Sequence, residues 1–291
     1  MSVALAPDWE LDYYSRPILE ADGKKRWELL LCSTPGPGEP QPAFRWVRSC
    51  PASSVNSIWL REALEAALAE AEAAGVPRPR RLRCWRGSMR TMVQRAAEGL
   101  GLELIASRRC YALVTWLQQR EREVYPNEEG YQAGPLAPPP EPLRAQALPL
   151  PETARGNSWS WARLGAGDLG EASQWEVDFA GLTPLPEGLE ATAPVPGIRL
   201  FGGPRALAIA GWLAGLEPVR LAVSGRQLLL EAGLEDRWLL SDLEASEAEQ
   251  AAQALADARN QSGGLQFLAV QASPDEQRFS GFWMLRDLPD S

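Results

Sequence analysis

The chain has 291 residues, of which 45% are hydrophobic, and it carries a net charge of −9 and no histidine. This length and hydrophobic content suit two domains, each with its own core. Without histidine, serine–histidine–aspartate triads, cysteine–histidine nucleophiles and metal sites with imidazole ligands are excluded. No apolar run approaches the roughly 20 residues of a membrane span, and the N-terminus lacks the basic start and long apolar middle of a signal peptide. We therefore expect a protein of the bacterial cytoplasm.

The first two predicted elements are strands joined by a tight turn. Two strand-like runs flank the pair Asp22-Gly23, which is typical of a hairpin turn. With this pair at the centre of the turn, Glu20 faces Lys25. In the same register Ile18 faces Trp27, and both pairs are favourable between neighbouring strands. The sequence therefore predicts a hairpin at the start of the first sheet.

The following segments alternate between strand and helix patterns. The clearest helix is 56–74, which Asn56 or Ser57 can cap and Gly75 can end. Its leucines and alanines recur at helical spacing and form one apolar face. In chain order after the hairpin, the predicted elements are a strand at 43–48, this helix, a strand at 80–85, a helix capped by Ser88, and strands at 102–106 and 111–117.

A proline-rich stretch separates two predicted domains. Residues 126–151 contain eight prolines, which lack backbone donors and favour an extended linker. The first domain is therefore placed at 1–125 and the second at 152–291. The second domain is expected to contain strands at 158–164, 198–201, 219–223, 227–231, 238–240, 265–271 and 279–285, and helices at 204–216 and 244–260. This order predicts an α+β (mixed α/β) fold, in which each domain is a mixed sheet opened by a hairpin with helices packed on it.

Charge is distributed unevenly between the two halves of the chain. Residues 1–125 hold 18 basic and 15 acidic side chains, a net of +3, whereas residues 126–291 hold 11 and 23, a net of −12. If the chain binds a polyanion, the first domain is therefore the expected host. The strongest signal lies at 73–97, a window that contains seven arginines and no acidic residue.

This arginine window predicts a surface for single-stranded RNA. Guanidinium groups match phosphate geometry and stack on bases, and aromatic rings stack on unpaired bases. The free backbone donors of a helix start at Gly87-Ser88 also suit a phosphate. The alternative interpretation is a solvated face whose arginines pair with the glutamates of residues 62–72. The predicted RNA-binding residues are Arg81, Arg83, Trp85, Arg86, Arg90, Arg108 and Arg109.

Carboxylates on the hairpin suggest a second interpretation, a degenerate metal-dependent nuclease domain. Asp12 lies on the first strand and Glu28 on its partner, as in strand-led nucleases that bind divalent metals. In the simple register around the turn, however, these side chains fall on opposite faces of the sheet. A bulge near Pro17 could bring them together, but nothing in the sequence demands one. The four cysteines have no Cys-x-x-Cys spacing. Neither a metal nor another cofactor is therefore predicted, and we expect no enzymatic activity.

Four parts of the chain resemble the Tab2-like family, RNA-binding proteins of cyanobacteria and chloroplasts. They are Trp9–Ile18 with Lys25–Leu30, Trp85–Met89, Ser107–Leu113 and Phe282–Leu285, where Met284 replaces the leucine that is usual in the family. The resemblance implies a non-enzymatic protein that binds A/U-rich single-stranded RNA, not DNA, and promotes translation or biogenesis of photosystem reaction-centre proteins. Peripheral association with thylakoids stays open.

The acidic second domain suggests an alternative function as an assembly or interaction factor. Its partners would be ribosome or photosystem assembly factors that contact the region of net charge −12. Trp159, Trp161 and Trp175 lie outside clearly apolar segments, so they are candidates for such contacts.

Overall fold

The computed structural model describes residues 8–36, 39, 41–133 and 146–288. These residues fall into two compact units: the first contains 8–35 and 41–133, and the second contains 146–288. Both units combine mixed sheets with helices, so the predicted fold class is confirmed. The expectations for residues 1–7 and for 134–145 of the predicted linker lie outside the described residues. Among those described, no helix is long and apolar enough to cross a membrane.

The first unit is built on one five-stranded sheet. Its elements in chain order are β1 (Asp8–Leu19), β2 (Lys25–Ser33), β3 (Arg45–Cys50), α1 (Ser57–Ala73), β4 (Arg81–Cys84), α2 (Arg90–Glu98), β5 (Glu103–Ala106) and α3 (Tyr111–Glu123). The strand order is β3-β2-β1-β4-β5. β2 runs antiparallel to both of its neighbours, β1 and β3, whereas β1, β4 and β5 run parallel to one another.

Helix α1 begins and ends where the sequence predicts. The side-chain oxygen of Asn56 accepts hydrogen bonds from the backbone N–H groups of Ile58 and Trp59, each at 2.9 Å. These bonds satisfy two open donors of the first turn. Just after the helix, Gly75 has a φ of 73°, a conformation that glycine adopts readily.

Helices cover both faces of this sheet. α1 and α2 pack on the face that carries Trp9, Leu11 and Tyr13 of β1. α3 packs on the opposite face against Leu30 and Cys32 of β2. Because both faces are covered, β1 is buried along most of its length, and each polar side chain on it needs a partner inside the protein.

The turn at residues 22–23 is confirmed, but the predicted register of the hairpin is wrong. The observed pairs are Lys25–Leu19 and Trp27–Ser15, and the predicted pairs were Lys25–Glu20 and Trp27–Ile18. The register differs in two steps: the turn pairs Leu19 with Lys25, one residue away from the predicted partner, and a bulge between Ser15 and Leu19 shifts the register by a further two residues. Pro17 lies within the bulge and has no N–H to donate to the partner strand.

The one-residue shift at the turn changes which side chains share a face of the sheet, whereas the two-residue shift at the bulge leaves the faces unchanged. Side chains alternate along a strand, so a one-residue shift of register exchanges the two faces of one partner relative to the other. In the observed register Asp12 pairs with Leu30, and Glu28 pairs with Tyr14. Asp12 and Glu28 therefore lie on the same face, the one that α3 covers.

Residues 111–117, predicted as a strand, form the first half of α3. Aromatic and branched side chains in this run favour a strand, but the polar residues 118–123 continue it as a helix. Its buried residues recur at helical spacing; they are Tyr111, Leu113, Val114, Trp116 and Leu117. The predicted cap at Ser88 is also wrong, because the chain enters α2 through a 3₁₀ turn at Gly87–Met89 and the Ser88 side chain caps neither helix.

Within the described residues, the second unit contains two sheets, where one sheet opened by a hairpin was expected. Its elements in chain order are β6 (Leu148–Pro149), β7 (Ser158–Gly165), α4 (Ala166–Gly170), β8 (Val177–Gly181), β9 (Pro194–Phe201), α5 (Ala206–Gly215), β10 (Pro218–Ser224), β11 (Gln227–Ala232), β12 (Asp236–Asp242), α6 (Ala245–Gln261), β13 (Leu265–Gln271) and β14 (Phe279–Arg286). One sheet has the order β10-β11-β12-β6 and the other β7-β9-β13-β14-β8. Every predicted element of this domain is present; β6, α4 and β8 are short and were not predicted.

Both described ends of the predicted linker at 126–151 are structured. Tyr125 is fully buried, and Tyr131 forms a bridge with Ile18 of β1. The chain therefore packs with the first unit beyond residue 125. At the other end, Leu148 pairs with Trp238 of β12.

Candidate nucleic-acid interface

The parallel strands β4 and β5 bring two loops to one edge of the first sheet. Residues 85–90 follow β4 and residues 107–110 follow β5; together we call them the carboxyl edge. The first loop leads into α2 and the second into α3, and these helices pack on opposite faces of the sheet. Open α/β sheets bind ligands in the crevice that forms where helices diverge in this way.

Arg86 lies between two aromatic rings at the carboxyl edge. Its guanidinium carbon is 4.1 Å from the ring centroid of Tyr14 and 4.5 Å from that of Trp85. Its Nε lies 2.5 Å from Oδ1 of Asp12. Within the described part of the chain its two terminal nitrogens make no hydrogen bond. Arg86 is therefore fixed in position while one side of its guanidinium group is left for a ligand.

Asp12 fixes the position of both Arg86 and Trp85. This carboxylate is fully buried. Its Oδ1 accepts a hydrogen bond from Trp85 Nε1 at 3.0 Å in addition to the one from Arg86, and its Oδ2 accepts from Arg16 Nη1 at 2.8 Å. Burial alone would raise the pKa of Asp12, but the charges and hydrogen bonds of Arg16 and Arg86 hold it below its ordinary value. Asp12 is therefore an anion that orients both side chains.

A second buried carboxylate, Glu28, extends this network. Arg16 reaches Glu28 at 3.3 Å as well as Asp12, and Arg120 lies 3.4 Å from Glu28. The hydroxyl of Tyr125 donates to Glu28 at 2.8 Å. The observed register thus brings together the two carboxylates that a nuclease would need, but a guanidinium group lies against both of them. Among the described residues, no group of three or more histidine, cysteine, aspartate or glutamate side chains could bind a metal ion.

Arg81 and Arg83 are engaged by a carboxylate of β1. Arg81 makes two hydrogen bonds to Asp8, at 2.7 and 2.6 Å, and Arg83 lies 2.8 Å from the same carboxylate. Arg83 is only 8% exposed. Asp8, and not the glutamates of residues 62–72, is therefore their partner. These two residues lie on β4 before the carboxyl edge, on the face that α3 covers.

The remaining predicted residues differ in exposure. Arg90 is exposed in the first turn of α2, and Arg108 is half-buried. Arg109 is buried, with its guanidinium carbon 5.3 Å from the ring centroid of Tyr111. The seven predicted residues therefore do not form one open surface. Among the seven arginines of the window, those that are exposed and make no hydrogen bond or ion pair with the described residues are Arg80, Arg90 and Arg95.

Comparison with known proteins identifies the family. The model for the N-terminal part of the RNA-binding protein Tab2/Atab2 matches residues 8–120, and the model for its C-terminal domain matches residues 138–286. The chain belongs to the Tab2-like family. The family resemblance inferred from the sequence is thus confirmed.

Two plant relatives of this Tab2-like chain match along almost its full length. A protein of Zea mays named "Protein TAB2 homolog, chloroplastic" is 37% identical over 295 residues, which covers 97% of this chain and 72% of the relative. A protein of the same name from Arabidopsis thaliana is 31% identical over 300 residues, with 97% and 75% coverage. The similarity therefore spans both units.

Three of the four segments that carry the Tab2-like resemblance meet at one place in the structure. Trp9–Ile18 supplies Asp12 and Tyr14, while Trp85–Met89 and Ser107–Leu113 contain most of the carboxyl edge. The fourth segment, 282–285, lies in β14 of the second unit and is buried. The features typical of the family in the first unit are thus grouped around Arg86 and Trp85.

Glu10 is a buried group of this site that sequence reasoning missed. It accepts a hydrogen bond from the backbone N–H of Leu113, in the first turn of α3, at 2.8 Å, and another from Thr34 Oγ1 at 3.0 Å. It therefore caps α3 from another part of the chain. Burial raises the pKa of Glu10 from 4.5 to about 7, in spite of the hydrogen bond from Leu113 and the nearby charge of Arg83. The contact fixes the start of α3 directly after Arg108 and Arg109.

The four cysteines of this Tab2-like chain are free and buried. Burial raises the pKa of Cys84 to about 11 and that of Cys32 and Cys110 well above the ordinary value. Thiols that stay protonated at neutral pH are poor nucleophiles and poor metal ligands, so these residues pack as small apolar groups.

Proposed function

We propose that this chain binds A/U-rich single-stranded RNA at the carboxyl edge of its first unit and so promotes translation or biogenesis of photosystem reaction-centre proteins. The preference for A/U-rich strands and the photosystem role follow from the resemblance to the Tab2-like family. The observation that carries the site is the position of Arg86 between Tyr14 and Trp85 with Asp12 behind it. A guanidinium group held in this way loses little conformational freedom when it binds a phosphate.

The predicted residues have different roles in this proposal. Arg86 and Arg90 bind phosphates, and Trp85 offers a ring on which a base stacks. Arg108 and Arg109 line the second loop of the carboxyl edge. Arg81 and Arg83 support the site from β4, since Asp8 already binds them. The list is Arg81, Arg83, Trp85, Arg86, Arg90, Arg108 and Arg109.

The proposed activity is non-enzymatic and needs no cofactor. In the buried network, Arg16, Arg86 and Arg120 pair with Asp12 and Glu28, the carboxylates that would otherwise suit a divalent cation. We place the protein in the bacterial cytoplasm, with peripheral association to thylakoids where photosystem subunits are inserted. The expected partner is a messenger RNA and not DNA.

Binding of a U-rich oligonucleotide by an exposed-site variant tests the position of the interface. Arg90→Glu should weaken binding about tenfold and lower the slope of log affinity against log salt by about 0.7, the value for one phosphate contact on a single strand. Arg61→Glu is the matched control, because Arg61 is an arginine of α1 that is 48% exposed and paired only at 3.8 Å with Glu65. Photo-crosslinking of the same RNA should attach it to the peptide that contains Trp85. Equal binding by both variants, with crosslinks confined to the second unit, would contradict the assignment.

A second candidate function is assembly through the second unit, and one observation favours it. Trp161 on β7 is 37% exposed and its ring lies 5.1 Å from that of Trp159, at right angles. Trp175, by contrast, is partly buried and stacks on Phe279 against the core. An exposed tryptophan on an edge strand of an acidic domain suits a protein contact. A complex that survives nuclease treatment and is lost in Trp161→Ala would support this function, and recovery only with intact RNA would count against it.

A further inference from the structure

The second unit contains a pocket of about 300 Å³ between helix α6 and strand β10. One side is formed by Arg220–Ser224 of β10 and the other by α6 residues that include Leu255 and Arg259. Its lining holds three arginines and two carboxylates, an excess of one positive charge. This excess is unexpected in residues 126–291, which carry a net charge of −12.

The charged residues of the lining form one chain of ion pairs. Arg220 donates from Nε to Glu231 at 2.8 Å and from Nη1 to Asp287 at 2.6 Å. The second oxygen of Asp287, Oδ2, lies 2.5 Å from the Nε of Arg259. The second oxygen of Glu231, Oε1, lies 3.7 Å from the Nε of Arg237. Each carboxylate is thus shared by two arginines, and the extra guanidinium charge is not balanced within the lining.

Of the three arginines that line the pocket, Arg259 is the most exposed. Its side chain is 60% exposed. Asp287 engages only its Nε, so within the described residues its two terminal nitrogens make no hydrogen bond. A guanidinium held through Nε offers these nitrogens as a planar pair that matches two oxygens of a phosphate.

The backbone of β10 supplies a second element of recognition. β10 is an edge strand, and the outward N–H of Leu221 donates to the side-chain oxygen of Gln266 at 2.6 Å. In an antiparallel pair the outward groups recur at every second residue, so the N–H and C=O of Val223 also point outward, where Val223 lines the pocket. Among the described residues neither group makes a hydrogen bond. A neighbouring donor and acceptor complement the hydrogen-bonding edge of a nucleobase.

We propose that this pocket binds a nucleoside monophosphate, either free or as the terminal nucleotide of an RNA strand. Arg259 binds the phosphate, the backbone of Val223 binds the base, and the apolar side chains of Leu255 and Ala256 pack against the sugar or base. The volume lies at the lower end of the range for small-molecule sites, which fits one nucleotide and not a longer strand. This site goes beyond the proposed RNA interface, which lies in the first unit.

Calorimetric titration of the full chain with uridine 5′-monophosphate, uridine and inorganic phosphate tests the proposal. We expect the monophosphate to bind at least about tenfold more tightly than either fragment, since each fragment loses one set of charged or backbone hydrogen bonds. A U-rich oligonucleotide with a 5′-phosphate, compared with its 5′-hydroxyl form in the Arg90→Glu background, separates the two sources. Tighter binding of the phosphorylated form assigns the RNA end, and equal binding assigns the free nucleotide.

Two variants in the pocket and one matched control locate the binding. Arg259→Gln should weaken binding of the monophosphate about tenfold, and Ala256→Glu, which adds a carboxylate to the pocket wall, should also weaken it. Arg226→Gln is the control, because Arg226 is 62% exposed and paired with Glu244 outside the pocket. Thermal melting verifies that all variants fold. The proposal is overturned if the parent does not bind the monophosphate at millimolar concentration. It is also overturned if Arg90→Glu loses binding while Arg259→Gln binds as the parent does, because the nucleotide would then bind at the RNA interface.

Discussion

The two units use the same ion-pair chemistry with different neighbours. Each surrounds two buried carboxylates with three arginines: Arg16, Arg86 and Arg120 around Asp12 and Glu28 in the first, and Arg220, Arg237 and Arg259 around Glu231 and Asp287 in the second. In the first unit the outer arginine, Arg86, is stacked between aromatic rings. In the second, Arg259 borders a cavity.

This difference shows how the surroundings of an arginine decide what it can bind. In both units a carboxylate engages Nε and leaves the terminal nitrogens for a ligand. Rings beside the guanidinium group favour the unstacked bases of a strand. A small pocket beside a strand edge favours a single small anion. The following experiments test this distinction, from the largest expected effect to the smallest.

The largest expected effect comes from the carboxylate at the centre of the first network. Asp12→Asn removes the carboxylate that pairs with Arg86 and the nearer of the two that pair with the buried Arg16, and loss of one member of a buried pair costs about 3–5 kcal/mol. Urea unfolding followed by tryptophan fluorescence measures the free energy of unfolding. Asp22→Asn is the control, since Asp22 is exposed and pairs with Lys24 at 3.7 Å, and its effect should stay below about 0.5 kcal/mol. Parent stability in Asp12→Asn would show that the network does not hold the site together.

Glu10 should make the stability of the first unit depend on pH in a direction opposite to that of Asp12. The folded state keeps the Glu10 proton up to about pH 7, against 4.5 for the ordinary value. The stability that this group contributes is therefore complete below pH 4.5 and is lost as the pH rises towards 7. As the pH rises from 4.5 to 7, the free energy of unfolding of the parent should fall by about 3 kcal/mol relative to that of Glu10→Gln.

Unfolding of both proteins at several pH values measures this difference. The pKa of Asp12 is lowered by Arg16 and Arg86. The stability that Asp12 contributes is therefore lost as the pH falls below the ordinary pKa of an aspartate. A constant difference between parent and Glu10→Gln from pH 4.5 to 7 would mean that Glu10 is ionised throughout.

Arg86→Lys separates stacking from charge at the proposed RNA interface. Lysine keeps the positive charge but loses the planar group that lies between Tyr14 and Trp85. We expect about tenfold weaker binding of a U-rich oligonucleotide with an unchanged salt slope, because the number of phosphate contacts is the same. Fluorescence anisotropy at several salt concentrations measures both quantities. Arg90→Lys, at an exposed position, should change neither, and identical behaviour of the two variants would show that the stacked position of Arg86 is unimportant.

The sequence predicts what depends on neighbouring residues and misses what depends on distant ones. The limits of α1 follow from Asn56 and Gly75, which act within one turn of the helix. The partner of Arg81, by contrast, is Asp8, 73 positions away. Only the alignment of β1 beside β4 brings them together, and no local pattern encodes that alignment. The arginine window was therefore visible, but the ion pairs that bury part of it were not.

Two further errors have the same origin. A proline at position 17 indicates that a bulge can form, yet only the packing of both faces of β1 decides the register that follows. That register places Asp12 and Glu28 on one face of the sheet. The pairing of β1 with β4, which is also set by packing, places Asp12 beside Arg86. Residues 111–117 are compatible with a strand by composition, and the Glu10 cap that favours the helix comes from β1.

The smallest expected difference between the units concerns their two 17-residue helices, α1 and α6. Asn56 caps α1 with two hydrogen bonds of 2.9 Å, and Asn56→Ala should cost about 1 kcal/mol. In α6, Glu247 accepts a hydrogen bond from the backbone N–H of Glu244 at 3.2 Å in an exposed position. Glu247→Ala should therefore lower the free energy of unfolding by at most about 0.5 kcal/mol. Thermal melting of both variants measures the two costs. Equal costs would indicate that the single hydrogen bond of Glu247 stabilises α6 as much as the two hydrogen bonds of Asn56 stabilise α1.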